Sequence, residues 1–230
     1  MITGSGLIAN SLKKMFANDE SLIVFARGVS NSACSDTTAY EREFEMMSEF
    51  SEKYHDKLFI YFSTTSIFDS EKQATTYVKY KLQFEEFIKN NFQKSIILRL
   101  PIIVGRNNNQ HQLFGYLLNA IKQNEIIGVH KNAGRYLLDI EDLPEILQKI
   151  IDYYKSNLKN GNMTINVCSD NAMPIMQIIE MLSKTLKKEP VISFENKGVA
   201  YKVDNSLIKK IVGNQLNNKD FQMVFDNYFS

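Results

Sequence analysis

Cysteine is scarce in this chain. Only Cys34 and Cys168 occur in 230 residues. They lie far apart, outside any metal-ligand spacing, and read as free thiols of a reducing compartment. An excess of one charge is also missing: 27 Lys and Arg face 26 Asp and Glu, a formal net charge of +1. That balance creates no field to draw in nucleic acid or an anionic membrane. No stretch approaches the roughly 20 apolar residues that a membrane-spanning helix needs. No basic segment followed by an apolar run marks a signal peptide. The expected location is therefore the cytoplasm. No internal repeat or composition break is evident, and low complexity is limited to RNNNQ at 106–110, which reads as a loop. What remains is 44% hydrophobic and 23% charged, ordinary for a soluble globular protein of one or two domains.

The hydrophobic pattern alternates between strand and helix. A short strand precedes Gly4, and LIANSLKKMF after Gly6 has helical spacing. SLIVFA (21–26), KLFIYFS (57–63) and SIILRLP (95–101) are β-rich apolar runs. Helical segments at 40–54, with an acid-rich start, and at about 75–90 separate them. Such alternation predicts a parallel sheet with helices on its faces. Further on, QLFGYLLNAIKQN, IEDLPEILQKIIDYYKSN and MPIMQIIEMLSKTLKKE read as helices. MTINVCS and VISFE read as strands, and the last segment as small helices. Residues 1–105 are expected to form the α/β core. Residues 106–230 are expected to complete the sheet and build a small lobe.

Four local signals carry chemistry. GSGLIA, Gly4 to Ala9, is a glycine turn entering a helix. Such a turn lets backbone approach a pyrophosphate at a helix N-terminus, although glycine turns before helices are common. YFSTTSIF ends an apolar strand in four hydroxyl residues, Ser63 to Ser66. In a parallel sheet ligands sit beyond the strands' carboxyl ends; the local alternative is a turn that caps the next helix. Tyr77 and Lys81 are four apart and share a helix face. A lysine ammonium near a phenol favours the phenolate and makes tyrosine a usable general acid or base. Tyr80 competes for the role, but no lysine follows it at that spacing. RYLLDIEDL, Arg135 to Leu143, joins a short strand to a helix start with favourable acids.

Taken in order, these segments resemble the extended short-chain dehydrogenase/reductase family, the NAD-dependent sugar epimerases and dehydratases. STTSIF is similar to the family's strand-end hydroxyl block, with Thr64 at the catalytic Ser/Thr position. YVKYK, Tyr77 to Lys81, matches Tyr-x-x-x-Lys. RLPIIVG (99–105) looks like Arg-x-x-Asn-Val-Tyr-Gly, and RYLLDIED (135–142) like Arg-Asp-Phe-Ile-His-Val-Asp-Asp. TINVCS (164–169) looks like the late Tyr-Asn-Val-Gly strand. The resemblance implies an α/β fold with a Rossmann-like, doubly wound parallel sheet and a small C-terminal α/β lobe. It implies NAD or NADP held by Gly4, Ser5, Gly6, Leu7, Ile8, Ala26, Arg27, Ser63, Tyr77, Lys81 and Pro101. Tyr77 would exchange a proton with a sugar hydroxyl, Lys81 would assist it and bind the nicotinamide ribose, and Thr64 would fix the substrate oxygen. The implied substrate is a nucleotide-activated sugar, touching Thr65, Ser66 and Arg135. The implied activity is reduction or epimerisation by hydride transfer; a non-catalytic relative serving as sensor or binding partner is the alternative.

The departures are informative. The family's Asn and His are Ile102 and Asp139 here. Dehydratases of the family carry Asp-Glu just after the catalytic Thr, where this chain has Thr65 and Ser66, which argues against dehydration. The interval between the glycine turn and the hydroxyl block is roughly half the family's usual one, so the nucleotide-binding half is shortened. If FARGVSNS (25–32) is the fold's second strand, Arg27 suits a 2′-phosphate and NADP. If it is the fourth, which the sequence order favours, Ala26 to Ser30 run beneath the cofactor ribose. The usual adenine-ribose determinant is then absent. Family dimers often pair the helices that would be 40–54 and 75–90 here, and Phe44, Met46, Met47 and Phe50 give the first of these extra apolar surface. A homodimer is the expectation.

Overall fold

The computed structural model describes residues 1–29, 34, 36–106 and 112–230. Ser30 to Ser32 and the Asn-rich stretch 107–110 lie outside the described residues. In chain order the elements begin β1 (Ile2–Thr3), α1 (Leu7–Phe16), β2 (Leu22–Phe25), α2 (Thr37–Lys53) and β3 (Leu58–Thr64). A 3-10 turn, Thr65–Phe68, leads to α3 (Thr76–Asn91) and β4 (Lys94–Leu100). Next come β5 (Ile102–Val104), α4 (Leu113–Gln123), β6 (Ile126–His130), β7 (Gly134–Arg135) and β8 (Leu137–Asp139). After a second 3-10 turn follow α5 (Leu143–Asn157), β9 (Gly161–Asn166), β10 (Met173–Pro174) and α6 (Ile175–Leu186). The chain closes with β11 (Val191–Glu195), α7 (Ser206–Val212) and α8 (Phe221–Phe229).

The main sheet is parallel, in the order β1-β2-β3-β4-β9. Side chains along a strand alternate between its faces, and the two faces are covered by different helices. Leu22, Val24, Ile60, Phe62, Ile96 and Leu98 pack with α1 and α5. Ile23, Phe25, Phe59, Tyr61 and Ile97 pack with α2 and α3. Burial on both faces explains why β2, β3 and β4 read as unbroken apolar runs. The chain thus has the expected doubly wound α/β architecture.

The sheet order resolves the FARGVSNS segment. β2 lies between β1 and the hydroxyl-bearing β3, the place of a fourth strand in the order 3-2-1-4-5-6. The NADP reading of Arg27, which required a second strand, therefore has no support. The connection β1–α1–β2 steps across the sheet in the same direction as β2–α2–β3, yet α1 and α2 cover opposite faces. The two crossovers cannot both have the right-handed sense that parallel connections nearly always take. A helix above one face and the next below the other leave a crevice between the carboxyl ends of β1 and β2.

Three boundaries differ from the sequence reading. α2 starts at Thr37, because Asp36 caps it by accepting from Thr38 N–H at 3.0 Å. β9 ends at Asn166, so Val167 to Ser169 lie beyond the strand. The short strand β6, with the sequence IIGVH, joins β11 in a parallel ribbon that was not foreseen. The apolar residues of α2 are largely used within the chain. Met47 is fully buried, Phe50 meets Phe25 edge-on at 5.8 Å, and Phe44 meets Phe87 at 4.7 Å while staying 39% exposed. No helix among the described residues is long and apolar enough to cross a membrane.

The C-terminal segments have their own apolar cluster, built from α4, α6 and α8 with β6. Asp139, where the resembling family has His, ties the C-terminal helix α8 and the segment before it to the β5–β8 ribbon. Its buried carboxylate accepts from Tyr228 Oη at 2.6 Å and pairs with Lys219 Nζ at 2.6 Å. Burial is the first cause that pushes the Tyr228 phenol up, and the bond to Asp139 is the second.

Candidate active site

A cleft of about 1020 Å³ opens at the carboxyl ends of β1, β2 and β3. Every residue singled out as a cofactor, catalytic or substrate contact lines it, from Gly4 at one end to Arg135 at the other.

Gly4 and Gly6 serve different purposes. Gly4 has φ +106, and a Cβ there would lie 2.2 Å from the Ala26 carbonyl oxygen. Its lack of a side chain lets β1 and β2 converge. Gly6 has ordinary extended backbone, and a Cβ there would meet nothing within 4 Å. Its open side faces the cleft. Gly6 is also the N-cap of α1, and no side chain caps that helix. The first-turn N–H groups, which have no acceptors within a helix, are therefore available to a ligand. The residues present fit a phosphate-bearing cofactor.

At the carboxyl end of β3 the hydroxyls divide. Thr64 Oγ1 accepts from Ser66 N–H at 3.0 Å, so the capping reading holds for its lone pair. Its proton stays free to donate into the cleft. Ser63 donates inward to Glu85 at 2.6 Å, so its hydroxyl is committed. Glu85 is buried and also pairs with Arg99 at 2.6 Å.

Lys81 is buried beneath Tyr77. Its ammonium donates to Tyr61 Oη at 2.9 Å and to the Phe62 carbonyl at 3.3 Å, and lies 3.6 Å from Glu43. It stands 5.9 Å from the centre of the Tyr77 ring. Burial, then the charge of Glu43, pushes the Tyr61 phenol well above its usual range. Neutral Tyr61 can therefore donate to Glu43, at 3.4 Å, while accepting from Lys81. Glu43 also accepts from Val29 N–H at 3.4 Å. One buried carboxylate thus links the lysine to the loop after β2. Tyr77 is half-buried and lines the cleft, whereas its competitor Tyr80 stacks flat on Tyr40 at 4.3 Å.

Beyond Thr65 the cleft turns cationic. Lys72 and Arg135 line it together with the buried Asp69, whose carboxylate lies 3.8 Å from Arg135. Burial, then repulsion from Arg135, holds the Lys72 ammonium below its ordinary value. Tyr201 completes this end, its phenol pushed up by burial.

Glu43, Glu85, Asp69, Lys72 and Tyr201 were not foreseen. For Glu85 a signal existed: it follows Lys81 by four within the buried stripe Val78, Lys81, Phe84 and Ile88. Glu43 stands among exposed acids of α2, but it too falls at helical spacing in a buried stripe, between Tyr40 and Met47. Tyr201 reaches the cleft from a distant segment, which local pattern cannot reveal.

No protein-family model matches the sequence, and no curated protein does. Solved structures with the same fold are found. The UDP-glucose 4-epimerase from Bifidobacterium longum, in complex with NAD+ and UDP, superposes with a TM-score of 0.72 at 12% identity, covering 98% of this chain and 81% of that one. WbmH from Bordetella bronchiseptica, in complex with NAD+, gives 0.71 at 13%, covering 97% and 79%. RMD from Pseudomonas aeruginosa, complexed with NADPH, gives 0.69 at 13%, covering 98% and 86%. The fold is the one that the motifs led us to expect.

Proposed function

We propose that this chain is a reductase or epimerase of nucleotide-activated sugars, of the extended short-chain dehydrogenase/reductase kind, that uses NAD or NADP. The observation that carries the reading is the convergence of Thr64, Tyr77 and Lys81 on one cleft with an open glycine turn. Solved structures of the same fold, described as bound to NAD+, NADPH or UDP, support it.

In this reading the cofactor rests on Gly4, Ser5 and Gly6 and the first turn of α1, with Leu7, Ile8, Ala26, Arg27 and Pro101 around it. Ser63 contributes through its place in the wall, since its hydroxyl is spent on Glu85. The bound nicotinamide supplies hydride exchange. Tyr77 moves the proton of the reacting sugar hydroxyl. Lys81 supplies positive charge beneath it, held in place by Tyr61, Phe62 and Glu43. Thr64 donates its free proton to the substrate oxygen. The excess of cations at Lys72 and Arg135 over Asp69 suits an anionic diphosphate, with Thr65 and Ser66 between it and the sugar. Residues from 106 on act as the substrate lobe. Phe44 and Leu82, exposed on α2 and α3, would meet across a homodimer.

The test is turnover of UDP-hexoses and their 4-keto forms with each cofactor, followed by product NMR. Tyr77→Phe should lower the rate by about 10²–10⁴-fold. It should leave folding unchanged, since no hydrogen bond of the Tyr77 hydroxyl occurs among the described residues. The shortened nucleotide half favours a second reading, a non-catalytic relative. Cofactor binding without turnover of any sugar nucleotide would select it.

A further inference from the structure

In a doubly wound sheet each half holds one mononucleotide of the cofactor, and the adenosine half lies over the strands on the far side of the first. Here, among the described residues, β1 pairs with β2 alone and is the edge of the sheet. The missing neighbours are not a matter of where the chain begins. α1 ends at Phe16 and β2 starts at Leu22, so only the short link 17–21 stands where two strand–helix units would lie. The opposed hands of the first two crossovers are what their removal would leave. β1 is only two residues long, which keeps this exposed edge from inviting strand pairing.

The cleft follows the same division. It runs from the glycine turn along β2 and β3 to Tyr201, all of it on the side of β1 away from the edge. The two features suited to a terminal phosphate lie at its glycine end. One is the uncapped start of α1, with open space at Gly6. The other is Arg27, exposed, lining the cleft, and with no ion pair among the described residues. A phosphate monoester there would carry about two negative charges near neutral pH, more than either phosphate of a diphosphate bridge.

We propose that the cleft recognises the nicotinamide mononucleotide half of the cofactor alone, and that the adenosine half of a dinucleotide projects into solvent. This rests on the reading of the cleft as a nicotinamide site. Two consequences follow directly. Reduced nicotinamide mononucleotide is itself a ligand, and a 2′-phosphate on the adenosine ribose has nothing to meet among the described residues, so NAD and NADP are not distinguished. Arg27 contacts the phosphate that all of these ligands share.

The experiment is calorimetric titration of the purified chain with NADH, NADPH, reduced nicotinamide mononucleotide and adenosine. The mononucleotide should bind within about tenfold of NADH, a difference no larger than a single good contact. NADH and NADPH should agree within about twofold, and adenosine should not displace them. Arg27→Ala should weaken NADH and NADPH by the same factor. NADH binding at least about 100-fold tighter than the mononucleotide, displacement by adenosine, or an Arg27→Ala loss confined to NADPH would each overturn the proposal. Each would leave the nicotinamide site itself intact. Binding of none of the nicotinamide nucleotides would overturn both.

Discussion

At the β3 end of the cleft, Ser63, Tyr61 and Lys81 are fixed by two buried carboxylates, Glu85 and Glu43. At the β1 end, Gly6 faces open space and α1 begins without a side-chain cap. The first end has its side chains locked before any ligand arrives. The second offers backbone donors and one exposed arginine. Proton transfer demands placement to a fraction of an ångström, and buried charge networks provide it. Binding a phosphate demands only donors and a favourable field. In the proposed function, the nucleotide half is shortened while the proton-transfer end keeps its precision.

The contrast can be broken at either end. The largest effect on stability is expected at Glu85. Glu85→Ala leaves Arg99 without its buried partner and Ser63 without its acceptor. Loss of one member of such a pair costs about 3–5 kcal/mol. The low end applies, because the Arg99 side chain is 18% exposed. Denaturant unfolding monitored by circular dichroism measures it. A change within about 0.5 kcal/mol would mean that the network does not hold this end.

A smaller effect is expected at Gly4. Gly4→Ala combines a backbone at φ +106 with a clash against Ala26, and should destabilise by about 1–3 kcal/mol. The smallest belongs to Gly6. Gly6→Ala meets nothing, and should cost less than about 1 kcal/mol, the difference between glycine and alanine at an N-cap. Equal losses at both glycines would remove the distinction between a structural and a ligand-facing position.

How much of this was legible in the sequence depends on the range of the forces involved. β2, β3 and β4 announced themselves as apolar runs because both faces of the sheet are covered. β6, with a glycine in IIGVH and its partner β11 far along the chain, gave no comparable signal. The glycine turn, the hydroxyl block and the Tyr77–Lys81 spacing are local patterns, and all reach the cleft. What surrounds them was not local. The spacing of Tyr40, Glu43 and Met47 puts Glu43 on the inner stripe of α2, but only the packing of α2 and α3 against β3 shows that its partner there is Lys81. The hand of β1–α1–β2 is a property of sheet order, which spacing along one chain does not encode.

The central claim is that the cleft beside the glycine turn is a nicotinamide nucleotide site. Gly6→Val tests it most directly, because the backbone there is extended and a side chain would enter the cleft rather than the core. The measurement is NADH binding by calorimetry to the native chain and to Gly6→Val, with thermal unfolding of both as the control for folding. The account predicts micromolar binding by the native chain, and its loss in a variant that unfolds at nearly the same temperature. Unchanged binding in the folded variant, or none by the native chain up to millimolar NADH, would contradict it.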